Sequence, residues 1–296
     1  MAEYNIMKAV EYDKLPAKLK KFYPNIEAMV DDGFWTQKKY DGCMGVATIN
    51  KSGLSTMHSR TGEDYSVSCN NILQELWWKA HERYHGDWHS FVVIGEVWMP
   101  PEQALFPEIS GRFRRKSVVD PELQFMAHDL LPVLMNTSES YRYRFADLCS
   151  LLPPHTEDRC HVVYTDQTER NPFQRALEWQ GAGGYDGAII RDPDAGYIVG
   201  NVKNAEIVKV KPTLSLDLKV VELTEAVGEK TGRPVYTIGV IYNGVVSEVG
   251  SGMPHVLPVD LVLGSIVEVE CLGIAADGRL REPRFKGVRF DKLKAD

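Results

Sequence analysis

The sequence predicts an α+β protein, with a long mixed N-terminal part and a small, nearly all-β C-terminal part. Three observations carry this. Short runs of β-formers such as VATIN (46–50) and FVVIGEVW (91–98) alternate with stretches of helical spacing over the first two thirds of the chain. Pro212 interrupts the run VKVKPTLSLDLKVVEL (208–223) and marks a boundary. Beyond it, strand-like runs follow one another with only turn signals between them. The 296 residues are 44% hydrophobic and 25% charged, which is globular composition and excludes a disordered chain.

In chain order, residues 1 to about 30 have helix-compatible spacing around Leu15, Leu19 and Phe22. From Phe34 the texture changes to strands: VATIN, LSTMHS (54–59) and FVVIGEVW. Between the last two, NNILQELWWKAHERYH (70–85) places Ile72, Leu73, Leu76 and Trp77 on one helical face, with Asn71 near the start. LQFMAHDLL (123–131) reads as a buried strand. RALEWQGAGGYDGAIIR (175–191) reads as helix, glycine-rich break, then strand. After Pro212 come LDLKVVELTE, VYTIGVIYN, VVSEVGS and SIVEVECLGI, separated by EKTGR (229–233), Asn243-Gly244 and Asp277-Gly278. The expected domains are therefore 1–212 and 213–296.

Function classes narrow next. No apolar run reaches the 18 or more residues of a membrane span, and the start has no uninterrupted apolar core of a signal peptide, so a cytoplasmic protein without membrane association is expected. Five scattered cysteines without C-x-x-C remove a disulfide framework and a Cys-rich zinc site. The net charge is −7, yet Arg279 to Lys294 holds seven basic residues against Glu282 and Asp291, a local +5. Positive charge is thus concentrated where a polyanion can use it.

The chemistry-bearing residues come in a fixed order. Lys39-Tyr40-Asp41-Gly42 alone reads as a strand end and an Asp-Gly turn. It is followed by Ser59-Arg60-Thr61-Gly62-Glu63, by Gly95-Glu96 inside an apolar strand, by FMAHDLL, by Tyr185-Asp186-Gly187-Ala188-Ile189-Ile190-Arg191, by Lys209-Val210-Lys211-Pro212 and by R-E-P-R-F-K-G-V-R-F-D-K (281–292). A carboxylate such as Glu96 among Val93, Ile94, Val97 and Trp98 needs a partner, a metal or a solvent-lined cleft. Lys209 and Lys211, at alternate positions, would share one face of a strand.

This ordered set, from about Phe34 to Lys292, resembles the motifs of the ATP-dependent DNA ligases, in the minimal two-domain form typical of viruses and bacteriophages. The superfamily of covalent nucleotidyltransferases also holds RNA ligases and mRNA-capping guanylyltransferases. The resemblance implies a nucleotidyltransferase (adenylation) domain of antiparallel sheets with flanking helices, then a β-barrel OB-fold domain. It implies a monomeric enzyme that uses ATP and Mg²⁺ to seal 5′-phosphate/3′-hydroxyl nicks in duplex DNA, through lysyl-AMP and adenylylated DNA.

By that resemblance Lys39 is the nucleophile. An amine attacks only when neutral, so the positive charge of Lys209 and Lys211 is expected to depress its pKa and to balance phosphoryl charge. Asp186, where many relatives have Glu, is the expected Mg²⁺ ligand. Glu96 is assigned to the nucleotide ribose or to Mg²⁺. Asp41 braces the turn. For the base, His128 is the expected stacking residue with Phe125 as the alternative, Ile190 lines the opposite face, and Gln37 offers its amide oxygen to the adenine amino group where relatives often carry Glu. Relatives have arginine where this chain has Met44, which shifts phosphate binding toward Arg60. Arg281, Arg289, Asp291 and Lys292 match the final motif, with pyrophosphate orientation implied, and the segment Val210–Leu214 is the expected hinge. Arg112, Arg114, Arg115 and Lys116 in SGRFRRKS (110–117) are expected to contact DNA phosphates, as is Arg60. The rivals are an RNA ligase, a capping enzyme, or an OB-type nucleic-acid-binding protein without catalysis.

Overall fold

The computed structural model describes residues 6–155, 157–201, 205–228, 232–275, 277–292 and 294–296. The chain divides into two compact units, Met1–Val210 and Lys211–Asp296.

Two five-stranded sheets build the first unit. One has the order β2-β12-β10-β3-β9, made of β2 (Val10–Glu11), β3 (Trp35–Tyr40), β9 (Thr165–Asp166), β10 (Tyr185–Arg191) and β12 (Ile207–Val210). The other has the order β5-β4-β6-β7-β8, made of β4 (Cys43–Ile49), β5 (Thr56–Ser59), β6 (Phe91–Trp98), β7 (Gln124–Pro132) and β8 (Cys160–Val162). Neighbours are antiparallel except β2 with β12 and β7 with β8. A two-stranded parallel pair joins β1 (Met7–Lys8) to β11 (Gly200–Asn201).

Helices cover the outer faces. The apolar face of α3 (Asn70–Arg83) buries Ile72, Leu73, Leu76 and Ala80. With α4 (Phe106–Phe113) and α5 (Tyr141–Leu151) it encloses one core against Ala47, Val93, Val97 and Phe125 of the second sheet. On the first sheet, Ala176 and Trp179 of α6 (Pro172–Ala182) pack on Ala188, Ile190, Val208 and Val210. Asn171 caps α6 by accepting from Gln174 N, with Pro172 opening the helix, and Gly183 at φ +80° ends it. Between the sheets lies a smaller core of Ile6, Met7, Val46, Val92, Ile94, Leu131 and Ile207, with Met44 and Ile189 at its margin. The two inner faces therefore meet, and where this apolar core stops they leave the polar cleft described below.

The N-terminal segment is less helical than its spacing suggests. It forms β1, β2, a single 3₁₀ turn at Tyr12–Lys14, and the short helices α1 (Ala17–Phe22) and α2 (Ile26–Asp31). Leu15 is buried while Phe22 is 69% exposed, so the three apolar residues do not share one buried stripe.

The second unit is one antiparallel sheet of order β15-β14-β13-β16-β17: β13 (Leu214–Val227), β14 (Pro234–Tyr242), β15 (Val245–Val249), β16 (Ile266–Cys271) and β17 (Arg284–Val288). Asn243 and Gly244, both at positive φ, form the two-residue turn of the β14–β15 hairpin. A parallel bridge, Ser251 to Arg284, joins the end of the β15 segment to the start of β17, so the two outer strands approach each other and the sheet curls around Leu218, Val220, Val240, Val267 and Phe285. Sequence reading missed β17 because its residues belong to the basic run that had been read for charge. The expected turn at Glu229-Lys230-Thr231 lies outside the described residues.

Candidate active site

The centre of the first sheet brings three of the sequence motifs side by side. Gln37 of β3 lies opposite Ile189 of β10, and Ile189 opposite Lys209 of β12. Directly opposed residues share a face, and so does Lys39, two positions from Gln37. A bulge between Tyr185 and Ala188 breaks the β10 register opposite Lys39. There Asp186 Oδ2 accepts from Lys39 Nζ at 2.7 Å. The turn after Lys39 is held tightly: Asp41 N and Trp98 Nε1 both donate to the Gly184 carbonyl, at 3.0 and 2.9 Å. A side chain at Gly42 would meet the Val97 carbonyl at 2.3 Å, so only glycine fits that approach.

From the facing sheet comes Glu96, directly opposite Met44 on the adjacent strand. Burial first, then the nearby charges of Asp41 and Asp186, push its carboxyl up to about 7 against the attraction of Lys39 and Arg60. Burial works to lower the pKa of Lys39, but Asp186, Glu96 and Asp41 outweigh it, so the ammonium is held above its ordinary value. The cleft thus gathers three carboxylates around the half-buried Lys39 ammonium.

A second group of polar residues lies alongside. His128 is the extra residue where the β6–β7 register slips between Ile94 and Gly95, and its buried Nδ1 has no hydrogen-bond partner among the described residues. Burial, then the charge of Arg191, pushes its imidazole down to about 4, so it is neutral. Tyr141 Oη donates to the His128 carbonyl at 2.9 Å and accepts from Gln37 Nε2 at 2.8 Å. Beneath them, Asp129 is fully buried and takes Arg144 Nε at 2.8 Å and Nη2 at 3.1 Å, together with Arg191 Nη2. The Arg191 guanidinium lies 3.8 Å from the Tyr141 ring centroid. Sequence reading gave Asp129, Tyr141, Arg144 and Arg191 no role. The available signal was a charged residue inside one apolar run and at the end of another, Asp129 in FMAHDLL and Arg191 in YDGAIIR.

Comparison with known proteins decides the family. The family model described as ATP dependent DNA ligase domain matches residues 7–211, more than half of the chain. The chain belongs to the ATP-dependent DNA ligase family. It is therefore a DNA ligase, an ATP-binding nucleotidyltransferase whose family works through a lysyl-AMP intermediate. No curated protein matches the sequence. Similar solved structures include one described as Pmar-Lig_Pre, at 20% identity over 98% of this chain and 68% of that one, TM-score 0.71. A Lig E DNA ligase, described as binding DNA with a minimal scaffold, aligns at 18% over 96% and 99%, TM-score 0.65. The bacteriophage T7 ATP-dependent DNA ligase in complex with ATP aligns at 18% over 97% and 99%, TM-score 0.55. At these identities the likeness concerns the fold.

Several expectations change in the ligase structure. Ile190 does not line the cleft: it is fully buried beneath α6, on the face of β10 opposite to Lys39, and Ile189 takes the cleft face. Phe125 is also unavailable to a base, since it is fully buried in the outer core, with Gly45 and Gly95 leaving room for its ring. The pKa of Lys39 is raised, not lowered, because Asp186, Glu96 and Asp41 outweigh its burial. Lys209 Nζ pairs with Glu11 Oε1 at 3.1 Å. The strand β12 ends at Val210, so Lys211, before a proline that biases it toward extended backbone, lies beyond it in the second unit.

The basic segment 110–117 is not a free loop. Arg112 belongs to α4 and its side chain, 13% exposed, is clamped by Asp120 at 2.7 Å, by Glu122 and by Glu108 at 3.7 Å. Arg112 thus acts as a strut, its guanidinium committed to carboxylates of its own unit. Lys116 pairs with Glu63 at 2.6 Å and Arg115 with Asp120 at 3.7 Å, while exposed Arg114 makes no salt bridge among the described residues. Arg60 is exposed on the turn after β5. In the second unit Arg289 pairs with Asp291 at 2.8 Å and Asp217 at 3.0 Å, and Lys292 with Asp217 at 3.0 Å. Arg289 holds the Asp291 carboxyl down at about 2. Arg281 sits between β16 and β17, its N–H donating to the Gly273 carbonyl.

Proposed function

We propose that this ligase seals 5′-phosphate/3′-hydroxyl nicks in duplex DNA, with Lys39 as the residue that carries AMP. The observation that carries the reading is the half-buried Lys39 amine, 2.7 Å from Asp186 and under the charge of Glu96, in a cleft between two sheets. Lys39 Nζ attacks the α-phosphorus of ATP, the new N–P bond forms and pyrophosphate leaves. The ammonium must first give up a proton. Asp186, already hydrogen-bonded to Nζ, and Glu96, with a pKa near neutrality, are the groups placed to take it.

Neutral His128, with its orphaned Nδ1, fits a stacking and hydrogen-bonding contact with a purine. Gln37 is the second base contact. Ile189 replaces Ile190 as the aliphatic contact. Arg60, Lys209 and Lys211 supply positive charge for the phosphates.

Mg²⁺ suits this donor set. Among the described residues no group of three or more His, Cys, Asp or Glu side chains is arranged to hold a metal, and Mg²⁺ is ordinarily held by one or two carboxylates with phosphate and water completing its shell. Asp186 and Glu96 are the oxygens that would hold it. When bound it neutralises phosphate charge.

The division into a nucleotidyltransferase domain (1–212) and an OB-fold domain (213–296) is supported by the two compact units and by the strand order of the second, whose outer strands meet through a parallel bridge. Arg281, Arg289, Asp291 and Lys292 orient pyrophosphate, which requires Arg289 and Lys292 to exchange Asp217 for phosphate, with movement about Val210–Leu214. Exposed Arg60, Arg114, Arg115 and Lys116 contact DNA. One chain holds Lys39, Asp186 and Glu96 together, which supports a monomeric enzyme. No helix among the described residues is long and apolar enough to cross a membrane.

The test incubates the full chain with Mg²⁺ and α-labelled ATP or GTP, then adds nicked duplex DNA or nicked RNA. The expected result is covalent label from ATP alone, discharged as the DNA nick is sealed. Label from GTP alone, or discharge only on RNA, would contradict the reading.

A further inference from the structure

Gln37 is 2% exposed, and its side-chain nitrogen makes two hydrogen bonds: Nε2 donates to Tyr141 Oη at 2.8 Å and to Thr165 Oγ1 at 2.9 Å. An amide nitrogen has two protons, so both are committed. Neither neighbour can reverse the exchange without giving up a bond of its own. Tyr141 Oη gives its one proton to the His128 carbonyl at 2.9 Å, and Thr165 Oγ1 gives its own to the Val163 carbonyl at 3.1 Å. Carbonyls only accept, so both hydroxyls meet Gln37 as acceptors and the group facing them has to be the NH₂. A flipped amide would turn its oxygen to both hydroxyls, which could meet it only by abandoning those carbonyls, a loss of two hydrogen bonds in a buried place. The Oε1 left over accepts no hydrogen bond among the described residues.

We propose that Tyr141 and Thr165 are positioning residues that lock the Gln37 amide, leaving its oxygen as the group offered to the base and so selecting purines that carry a 6-amino donor. This rests on the reading that Gln37 contacts the nucleobase. The lock reads the base by polarity: a 6-amino group gives a proton to Oε1, whereas a 6-oxo group presents a second acceptor. Tyr141 also holds the carbonyl that the β7 bulge leaves outside the ladder at His128, so one hydroxyl sets both base contacts.

The lock also discriminates glutamine from glutamate at this position. A carboxylate at position 37 has no proton to give. Tyr141 and Thr165 would have to turn their protons toward it and abandon the carbonyls of His128 and Val163.

The test measures covalent labelling of the full chain, as kcat/KM, with three triphosphates: ATP, inosine triphosphate with a 6-oxo group, and purine riboside triphosphate with hydrogen at that position. The wild type is expected to rank them in that biochemical sense, 6-amino first, 6-hydrogen second and 6-oxo last. In Tyr141→Phe with Thr165→Val, which keeps ring and shape, the amide is free to turn. The preference for ATP over inosine triphosphate is expected to fall about tenfold or more. A looser fold would weaken all three nucleotides alike and leave that ratio in place. Gln37→Glu is expected to lose labelling by ATP.

An unchanged ratio in a double variant that melts cooperatively would overturn the lock. Should that variant fail to fold, the wild type decides, because acceptance of inosine triphosphate as readily as ATP overturns it too. Gln37→Ala separates the levels. Loss of the preference there, with no change in the double variant, keeps the base contact and removes the lock. A preference that survives Gln37→Ala removes both.

Discussion

Two clusters of charge lie on the facing sheets of the first unit, and they are built on opposite principles. Asp129, Arg144 and Arg191 are 0%, 1% and 3% exposed, and every carboxylate oxygen of Asp129 receives a guanidinium N–H. Around Lys39, the carboxylates of Asp186, Glu96 and Asp41 all bear on the ammonium, and the carboxyl of Glu96 is pushed up to about 7. The first cluster is closed: a buried charge survives there because its hydrogen bonds are complete. The second is open, with several carboxylates bearing on one ammonium at a partly exposed place that a substrate or ion can enter. A closed cluster positions its neighbours, and an open one is where ligand chemistry belongs.

The contrast is broken most strongly at Asp129. Asp129→Ala leaves two guanidinium groups buried without their partner and is expected to destabilise the fold by about 3–5 kcal/mol in urea unfolding. A loss under 1 kcal/mol would show that the cluster is not closed in the sense argued.

Glu96→Gln should act in the other direction. With the carboxyl pKa raised from 4.5 to about 7 on folding, the ionised form is penalised above pH 7 and the penalty is gone below pH 4.5. Unfolding in EDTA is expected to show the variant more stable than the wild type by up to about 3 kcal/mol at pH 8, with the gap closing as pH falls from 7 to 4.5. A pH-independent difference would count against this assignment.

His128 sharpens the picture from the base side. Its imidazole is held neutral, with a pKa lowered from 6.5 to about 4, so the wild type loses stability as pH falls through that window. His128→Phe removes the titration and keeps an aromatic face. Relative to the wild type it is expected to gain up to about 2–3 kcal/mol by pH 4 and nothing above pH 6.5. Parallel acid-unfolding curves for the two proteins would contradict this.

The smallest effect is expected on the surface. Arg114→Ala should weaken DNA binding by about 1 kcal/mol or less and lower the salt slope by about one unit, measured by titration of duplex DNA at several salt concentrations. Arg112→Lys, at a residue clamped by carboxylates, should leave that slope unchanged.

Sequence and structure agree best where period and turn chemistry act locally. The strand FVVIGEVW is β6 residue for residue, the glycine break before Tyr185 ends α6, and Asn243-Gly244 turns a hairpin. Glu96 was legible because a charge inside an apolar strand demands an account, whereas Lys39 and Asp186 were legible only through the ordered set of motifs and the family resemblance it carries. What was lost depends on pairing. The face of Ile190, expected from the resemblance, was not legible in the residues themselves, because the bulge at Asp186 resets the alternation of β10 and a bulge is invisible until its partner strand is known. Arg112 looked like a free basic residue because Asp120 and Glu122 return to it only through the loop after α4. The Tyr141 relay joins residues more than one hundred positions apart, Gln37 and Tyr141 among them, and no local pattern announces it.

The chemistry turns on the Lys39 amine in the open cluster. Peptide mapping by mass spectrometry, after incubation of the full chain with ATP and Mg²⁺, locates the nucleotide adduct. The expected result is a single AMP on Lys39, absent in Lys39→Ala and discharged by nicked duplex DNA. An adduct on any other lysine, or AMP still attached covalently in Lys39→Ala, would contradict the account.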